Sequence, residues 1–154
     1  MPEESRISLY NRITITASAL APVVRAFQKE FGEERTNRIV GDALKDVGRG
    51  WGEAISQLPG QGLGEKMTKG LAGFQEDDAL KFEVLRQDDD AYDFDVTRCR
   101  YAKFMDDIGA KDIGPLLICE LDHALADALG MTLEREQTIM TGQPRCTFRF
   151  RAKT

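Results

Sequence analysis

Residues 119–150 read CELDHALADALGMTLEREQTIMTGQPRCTFRF, and this stretch decides what kind of fold the chain can adopt. It starts inside an apparent helix that Asp112 caps and Gly130 ends. The packed ridge of this helix is marked by leucines at four-residue steps, namely Leu117, Leu121, Leu125 and Leu129. Residues 132–140 and 145–151 have the character of strands on either side of a turn. The stretch therefore predicts a helix followed by an antiparallel hairpin.

Three side chains capable of chemistry lie on this predicted helix. Cys119, Asp122 and His123, the single histidine of the chain, stand at i, i+3 and i+4. A regular helix would place them on one face. A thiol, a carboxylate and an imidazole on one face can be a nucleophile with its base or a set of metal ligands, and they can also stand there by chance. Cys146 falls on the aromatic side of the last strand, which predicts an interior position.

Two earlier segments alternate apolar and charged residues in the manner of half-buried strands. Their apolar positions are Leu80, Phe82 and Val84 in the first segment and Tyr92, Phe94 and Val96 in the second. The acidic run Asp88–Asp90 lies between them and is predicted to be the tip of a hairpin. Cys99 marks the point where the second strand gives way to a helix that Gly109 closes.

The N-terminal half is predicted to be helical. A first helix is expected from Ser18, as its cap, to Gly32. A second helix carries the clearest apolar period of the chain, at Val40, Leu44, Val47, Trp51, Ala54, Ile55 and Leu58. Pro59 and Gly60 stop it, and a short helix is expected over residues 65–74.

Glycines interrupt the second helix at Gly41, Gly48, Gly50 and Gly52, although each costs up to about 1 kcal/mol relative to alanine. Such a helix needs a close neighbour on its glycine side, either another helix or a ligand. Packing is the favoured interpretation. Pairing of this glycine-lined helix with a partner protein is a further alternative, and a homodimer that closes the helical face is a possible assembly.

The order of elements is helices, hairpin, helices, hairpin. This order predicts an α+β fold in which N-terminal helices pack on a small antiparallel sheet of two hairpins, with two helices between the hairpins. A chain of 154 residues fits a single domain. We expect residues 1–75 to form its helical part and residues 76–154 to carry the candidate site.

Composition excludes several functional classes. The net charge of −5 argues against a nucleic-acid partner, and no stretch approaches the roughly 20 apolar residues of a membrane span. The start of the chain lacks the apolar core of a signal peptide, and the 3 cysteines are widely spaced and odd in number. We therefore expect a cytoplasmic protein with free thiols that acts on a small molecule, without nucleic acid or membrane as partner.

Three segments carry a resemblance to a known family: VTRCRY at residues 96–101, CELD at residues 119–122 and TIMTGQPRCTFRF at residues 138–150. Together they resemble the L-2-amino-thiazoline-4-carboxylic acid hydrolase family, over about residues 78–151. The glycine–cysteine–phenylalanine ending also resembles the 4-vinyl reductase domain and its relatives in vesicle-tethering complexes. This broader similarity implies a 4-vinyl reductase-like α+β fold with a hydrophobic ligand pocket.

The resemblance implies a ring-opening hydrolase. Water would add at the amidine carbon of a cyclic 2-amino-thiazoline or a similar heterocycle, and the ring C–S or C–N bond would then break. The same fold also occurs in proteins without enzymatic activity, so a non-enzymatic module that binds a small ligand or a metal is the alternative.

Candidate site residues follow from their chemistry together with this resemblance. We assign the catalytic roles to Cys119, Asp122 and Cys146. Cys119 would be the nucleophile, and the alternative is that it is only a small buried hydrophobe. A buried Asp122 with a pKa near neutrality could act as a general base. Residues expected to support substrate binding are Cys99, Tyr101 and His123. Three thiolates with Asp122 or His123 would also satisfy zinc, so zinc or another divalent metal is a possible cofactor.

The arginines of the last strand face away from Cys146. Arg145, Arg149 and Arg151 could bind a substrate carboxylate. The favoured interpretation is an exposed sheet face on which they pair with Glu134 or Glu136 across the hairpin.

Overall fold

The computed structural model describes residues 6–154. The start of the chain, on which the expectation about a signal peptide rests, lies almost wholly outside the described residues. Three helices come first: α1 (Leu9–Phe31), α2 (Glu33–Ser56) and α3 (Leu63–Phe74). Within residues 6–154, no helix combines the length and the apolar character needed to cross a membrane.

The remaining elements form the sheet and its connecting helices. Strands β1 (Leu80–Gln87) and β2 (Ala91–Cys99) make the first hairpin, and α4 (Arg100–Asp107) follows directly. The second half contains α5 (Leu121–Ala128), β3 (Met131–Glu134) and β4 (Cys146–Ala152). The strands pair antiparallel in the order β1-β2-β4-β3. The predicted fold class, N-terminal helices on a small antiparallel sheet, is therefore confirmed.

Helix α1 begins earlier than the sequence predicted. Ser8, and not Ser18, is its cap, and the Ser8 hydroxyl oxygen accepts a hydrogen bond from the Asn11 N–H at 3.1 Å. The buried residues Ile13, Thr14, Ala17, Ala21 and Val24 follow one another at helical spacing. The small size of the alanines weakened this period in the sequence, which is why the first turns were missed.

The helix predicted after Asp112 is broken in two. Lys111–Ile113 is a single 3₁₀ turn, Pro115–Cys119 is a π-helical turn, and α5 starts only at Leu121. π-Helical turns are rare and occur frequently at functional sites. The break matters here because it changes which side chains of the segment face the core.

Strand β3 is shorter than the predicted strand over residues 132–140. Beyond Glu134 the chain leaves the ladder, and side chains replace its hydrogen bonds: the Thr147 hydroxyl accepts the N–H groups of Glu136 and Gln137 at 3.2 and 3.1 Å. The Cys146 sulfur accepts the Ile139 N–H at 3.2 Å. Local side-chain bonds of this kind compete with regular strand pairing.

The two faces of the sheet differ in polarity. Tyr92, Phe94 and Val96 are fully buried on the inner face. On the outer face Arg145 and Arg149 both pair with Asp95, and Arg151 pairs with Asp93. The prediction that these arginines pair with Glu134 or Glu136 was wrong. Strand β4 lies beside β2, and the β2 aspartates that face the arginines are largely shielded from water. These arginines are therefore structural pairs of the sheet.

The glycines of α2 serve helix packing, as the sequence favoured. A Cβ atom at Gly48 would lie 2.4 Å from the Leu121 carbonyl oxygen, and one at Gly52 would lie 2.4 Å from the Leu125 carbonyl oxygen. Helix α5 thus rests directly on the backbone of α2. Gly50 faces open space.

Gly52→Ala should lower the free energy of unfolding by about 1–3 kcal/mol, because the added methyl group must push α5 away. Urea unfolding followed by circular dichroism measures this change. Gly50→Ala is the matched control on the same helix, and it should raise stability by up to about 1 kcal/mol. Equal effects of the two substitutions would contradict the close α2–α5 contact.

Candidate functional site

A cavity of about 80 Å³ lies between the N-terminal helices and the inner face of the sheet. Its lining is almost entirely apolar and includes Trp51 and Ile55 from α2 and Met67 from α3. Phe94 and Phe148 stack with ring centroids 4.5 Å apart and form an aromatic wall on the sheet side. The cavity is therefore a mostly apolar space in which few polar groups can set specificity.

Five of the six residues expected at the site line this cavity, and they come from five different elements. They are Cys99, Tyr101, Cys119, Asp122 and Cys146. Folding has thus drawn the thiols of the last helical segment and of the last strand to a common space, although their spacing in the sequence is too wide for a local site.

His123 is the exception. It lines an outer groove between α2 and α5, together with residues such as Arg38 and Asp42. Successive helical residues are turned by about 100°, so a helix that directs Asp122 into the cavity directs His123 away from it. The π-helical turn ending at Cys119 also disrupts the regular spacing that would have aligned Cys119 with His123. The expected common face does not include His123.

Asp122 is paired with an arginine that the sequence analysis missed. Arg135 Nη1 donates to Asp122 Oδ2 at 2.7 Å, and Arg135 Nη2 donates to the Cys119 carbonyl oxygen at 3.0 Å. The Arg135 guanidinium carbon lies 5.0 Å from the centroid of the Phe148 ring, and the side chain is only 4% exposed. The sequence did contain a sign that Arg135 faces inward. Met131, Leu133 and Arg135 follow one another at two-residue steps, which places their side chains on the same side of an extended chain.

Two opposing effects act on the pKa of Asp122. Burial raises the pKa of the Asp122 carboxyl group above its ordinary value, and the charge and hydrogen bond of Arg135 oppose that rise. Oδ1 accepts no hydrogen bond from residues 6–154, and the side chain, which is 23% exposed, is one of the residues that line the cavity. One carboxylate oxygen is thus held in place while the other is available to a bound molecule or a water.

The three thiols differ in their hydrogen bonds. The Cys99 sulfur accepts the Ala102 N–H at 3.4 Å and caps α4, and the Cys146 sulfur accepts the Ile139 N–H. The Cys119 sulfur caps no backbone group within residues 6–154. Two of the thiols therefore support local backbone structure, and Cys119 is free of that task.

Burial also decides the protonation of the thiols. It raises the pKa of Cys99 to about 11, and it raises the pKa values of Cys119 and Cys146 above the ordinary thiol value. The positive charge of Arg135 lowers the pKa of Cys119 but does not reverse the effect of burial. The thiols are accordingly protonated at neutral pH, and thiolates are the reactive form.

Tyr101 reaches the cavity from α4. Its hydroxyl donates only a long hydrogen bond, 3.5 Å, to the Phe74 carbonyl oxygen. Burial raises the pKa of Tyr101, so the hydroxyl keeps its proton and can serve as a donor.

The thiols do not assemble into the zinc site that the sequence left open. In the part of the chain from residue 6 onward, no group of three or more His, Cys, Asp and Glu side chains is arranged to hold a metal ion. The polar centre of the cavity is instead the Asp122–Arg135 ion pair.

These features define a class: a small α+β domain that encloses an apolar cavity with a buried ion pair at its wall. The family model for L-2-amino-thiazoline-4-carboxylic acid hydrolase matches residues 12–150, and the chain belongs to this family. The resemblance found in the sequence is thereby confirmed, and family membership suggests hydrolase activity. The comparison with curated proteins found no match.

Two solved structures share the fold at low sequence identity. The phenol-responsive sensory domain of the transcription activator PoxR, with phenol, is 12% identical with a TM-score of 0.59, covering 88% of this chain and 74% of that one. Subunit 3 of a trafficking protein particle complex from Naegleria fowleri, covalently bound to palmitic acid, is 13% identical with a TM-score of 0.55, covering 93% and 96%. These similarities support the fold alone.

Proposed function

We propose that the protein is a hydrolase that opens a small nitrogen heterocycle of the cyclic amidine or thiazoline type in the central cavity. Family membership supports the reaction class. The observation that carries the proposal is the buried Asp122–Arg135 pair, in which Oδ1 of Asp122 stays free at the wall of an apolar cavity.

In the proposed mechanism Asp122 manages the proton. Oδ1 accepts a proton from a water molecule as its oxygen adds to the amidine carbon of the substrate. The electron pair of the C=N bond moves to the ring nitrogen, which takes the proton of the added hydroxyl group. The tetrahedral intermediate then collapses: its oxygen becomes a carbonyl oxygen, the ring C–S or C–N bond breaks, and Asp122 returns its proton to the sulfur or nitrogen that leaves. One water is consumed and no other reactant is needed. A carboxylate with a raised pKa suits both steps, because it binds a proton more readily than an ordinary aspartate does and can still return it.

Arg135 supports this chemistry by position. Its two hydrogen bonds join the Asp122 carboxylate on α5 to the Cys119 carbonyl oxygen. They therefore hold the general base in a fixed position relative to the cavity wall at Cys119. The guanidinium also remains charged, because Asp122 raises the pKa of Arg135. We assign Arg135 a positioning role.

The thiols take a secondary role in the proposal. We assign the role of nucleophile to water, because Oδ1 of Asp122 is free to accept a proton from it, whereas burial disfavours the thiolate of Cys119. Cys119 and Cys146 would contact the ring as neutral, polarizable groups. Tyr101 would donate a hydrogen bond to the oxygen that forms on the amidine carbon, and Cys99 would line the same wall.

The size of the cavity limits the substrate. At about 80 Å³ it is smaller than the roughly 150 Å³ apolar cavity that accommodates benzene. The proposal therefore requires the lining side chains to move when even a single small ring binds.

A turnover screen tests the proposal. Purified protein is incubated with 2-amino-thiazoline-4-carboxylic acid, sulfur-free cyclic amidines and lactams, with and without added divalent metal, and products are measured by mass spectrometry and by thiol release. We expect one water to be added to a thiazoline or cyclic amidine, and Cys119→Ser to retain the rate within about tenfold. Loss of turnover in a folded Cys119→Ser variant would contradict water as the nucleophile.

A binding module without turnover is the second candidate, and the almost wholly apolar cavity favours it. The PoxR sensory domain, which shares the fold, holds phenol. On this alternative a small aromatic molecule would raise the melting temperature, and every compound of the screen would be recovered unchanged.

A further inference from the structure

The α1–α2 hairpin carries an apolar groove of about 360 Å³ that nothing in residues 6–154 covers. We call it the α1–α2 groove and define it by the exposed apolar residues Val23, Phe27, Phe31, Ile39 and Ala43. The four larger side chains each expose about half of their surface, from 49% for Val23 to 55% for Ile39. Solvent exposure on this scale is unfavourable for an isolated molecule and indicates an interaction surface.

The groove is distinct from the glycine side of α2. Gly48 is nine residues from Ile39, which places it about half a turn around the helix axis. That side is already covered by α5, since both Gly48 and Gly52 touch its backbone. Partner pairing through the glycine-lined side, an alternative left open by the sequence, is therefore blocked within the chain itself.

The exposed apolar area around the α1–α2 groove is close to the apolar area that a homodimer interface buries on each protomer. Together with Val47, which is 44% exposed, five large side chains each offer about half of roughly 200 Å², on the order of 500 Å² in all. A standard interface buries about 800 Å² per protomer and is about 65% apolar in homodimers, which requires about 520 Å².

Two stacked aromatic rings dominate the groove. Phe27 and Phe31 both line it, and their ring centroids lie 5.7 Å apart. A two-fold axis through this region would bring the same patch of each protomer together, which is the geometry of an isologous contact. Arg35, at the edge, keeps its guanidinium 5.7 Å from the Phe31 ring centroid, so the charge borders the apolar patch without crossing it.

We propose that a second copy of this chain docks on the α1–α2 groove and forms a two-fold helical interface remote from the central cavity. The dimer buries Phe27, Phe31 and Ile39 and leaves the sheet free. This proposal does not depend on the catalytic one.

Phe27→Glu tests it. Sedimentation equilibrium and light scattering should show a dimer for the wild type, and the variant should raise the dissociation constant by at least about 30-fold, because a charge would be buried at the centre of the contact. Leu85→Glu is the matched control, because Leu85 is equally exposed at 52% but lies on β1. Its dissociation constant should equal that of the wild type.

Other outcomes overturn the proposal. They are a monomeric wild type at all concentrations, a dimer that survives Phe27→Glu, and a loss of dimer in Leu85→Glu as well. Binding of a monomeric wild type to phosphatidylcholine vesicles, abolished by Phe27→Glu, would assign the groove to lipid instead. Circular dichroism and thermal melting confirm that the variants are folded, since Phe27 is half exposed and its substitution leaves the core intact.

Discussion

Asp122→Asn is expected to lower kcat/KM for ring opening by about 10²–10⁴-fold, the usual contribution of a positioned general base. Asparagine has the same shape and keeps an oxygen that can accept from Arg135 Nη1, but it cannot take a proton from water. The variant should therefore fold and bind substrate while losing the chemical step. Steady-state kinetics with the best substrate of the screen give the ratio.

The control for this substitution lies on the same helix. Asp127 is 61% exposed, pairs with Lys153 at the surface and does not line the cavity. Asp127→Asn should leave kcat/KM unchanged. In the wild type kcat/KM should rise with pH through the raised pKa of Asp122, because only the ionised carboxylate acts as the base. Undiminished turnover in Asp122→Asn would remove Asp122 from the mechanism.

Arg135→Met should destabilise the protein by about 3–5 kcal/mol at neutral pH, the usual cost of removing one partner from a buried ion pair. The Arg135 side chain is only 4% exposed, and its loss leaves the Asp122 carboxylate without a cation. The Cys119 carbonyl oxygen loses a donor in the same step. Urea unfolding measures the change.

This loss should depend on pH in a defined direction. Without Arg135 the folded-state pKa of Asp122 rises further above its unfolded value. The folded state then holds a proton that the unfolded state releases, so stability falls as the pH rises and returns as the pH drops. The stability difference between the variant and the wild type should therefore be smaller at pH 5 than at pH 7.5.

Arg149→Met is the matched control for Arg135→Met. Arg149 also pairs with an aspartate, but its side chain is 27% exposed and Asp95 keeps Arg145 as a second partner. We expect a loss of no more than about 1 kcal/mol. The double variant Asp122→Leu with Arg135→Met should recover much of the stability, because no buried charge remains. Similar losses in Arg135→Met and Arg149→Met would contradict a buried pair.

Much of the fold could be predicted because its signals are local. The alternation through Phe82, Val84, Phe94 and Val96 predicted the first hairpin, and the structure has it. Glycines inside a helix predicted a close neighbour, and α5 is that neighbour. The predictions failed where side-chain hydrogen bonds overrode the strand pattern, as in the early end of β3, where the Thr147 hydroxyl accepts the backbone N–H groups of Glu136 and Gln137.

The candidate site was predictable only in part. Five of the expected residues do line one cavity, and their motifs belong to the family that the chain matches. His123 was misplaced because the sequence carries no plain signal for the π-helical turn at Pro115–Cys119. Arg135 was missed because an arginine in a strand is usually exposed, and its burial depends on Asp122 of another element.

The sequence by itself determined the types of the elements, the α+β class and the family, because periodicity and motif spacing are properties of neighbouring residues. Only the tertiary structure decided that Arg135 meets Asp122, that Cys99 and Cys146 cap backbone groups and that His123 lies outside the cavity. The physical reason is that a charge buried in a medium of low polarity must have an oppositely charged or hydrogen-bonding group close to it in space. Asp122 and Arg135 are thirteen positions apart in the sequence, and their spacing does not indicate that folding brings them together.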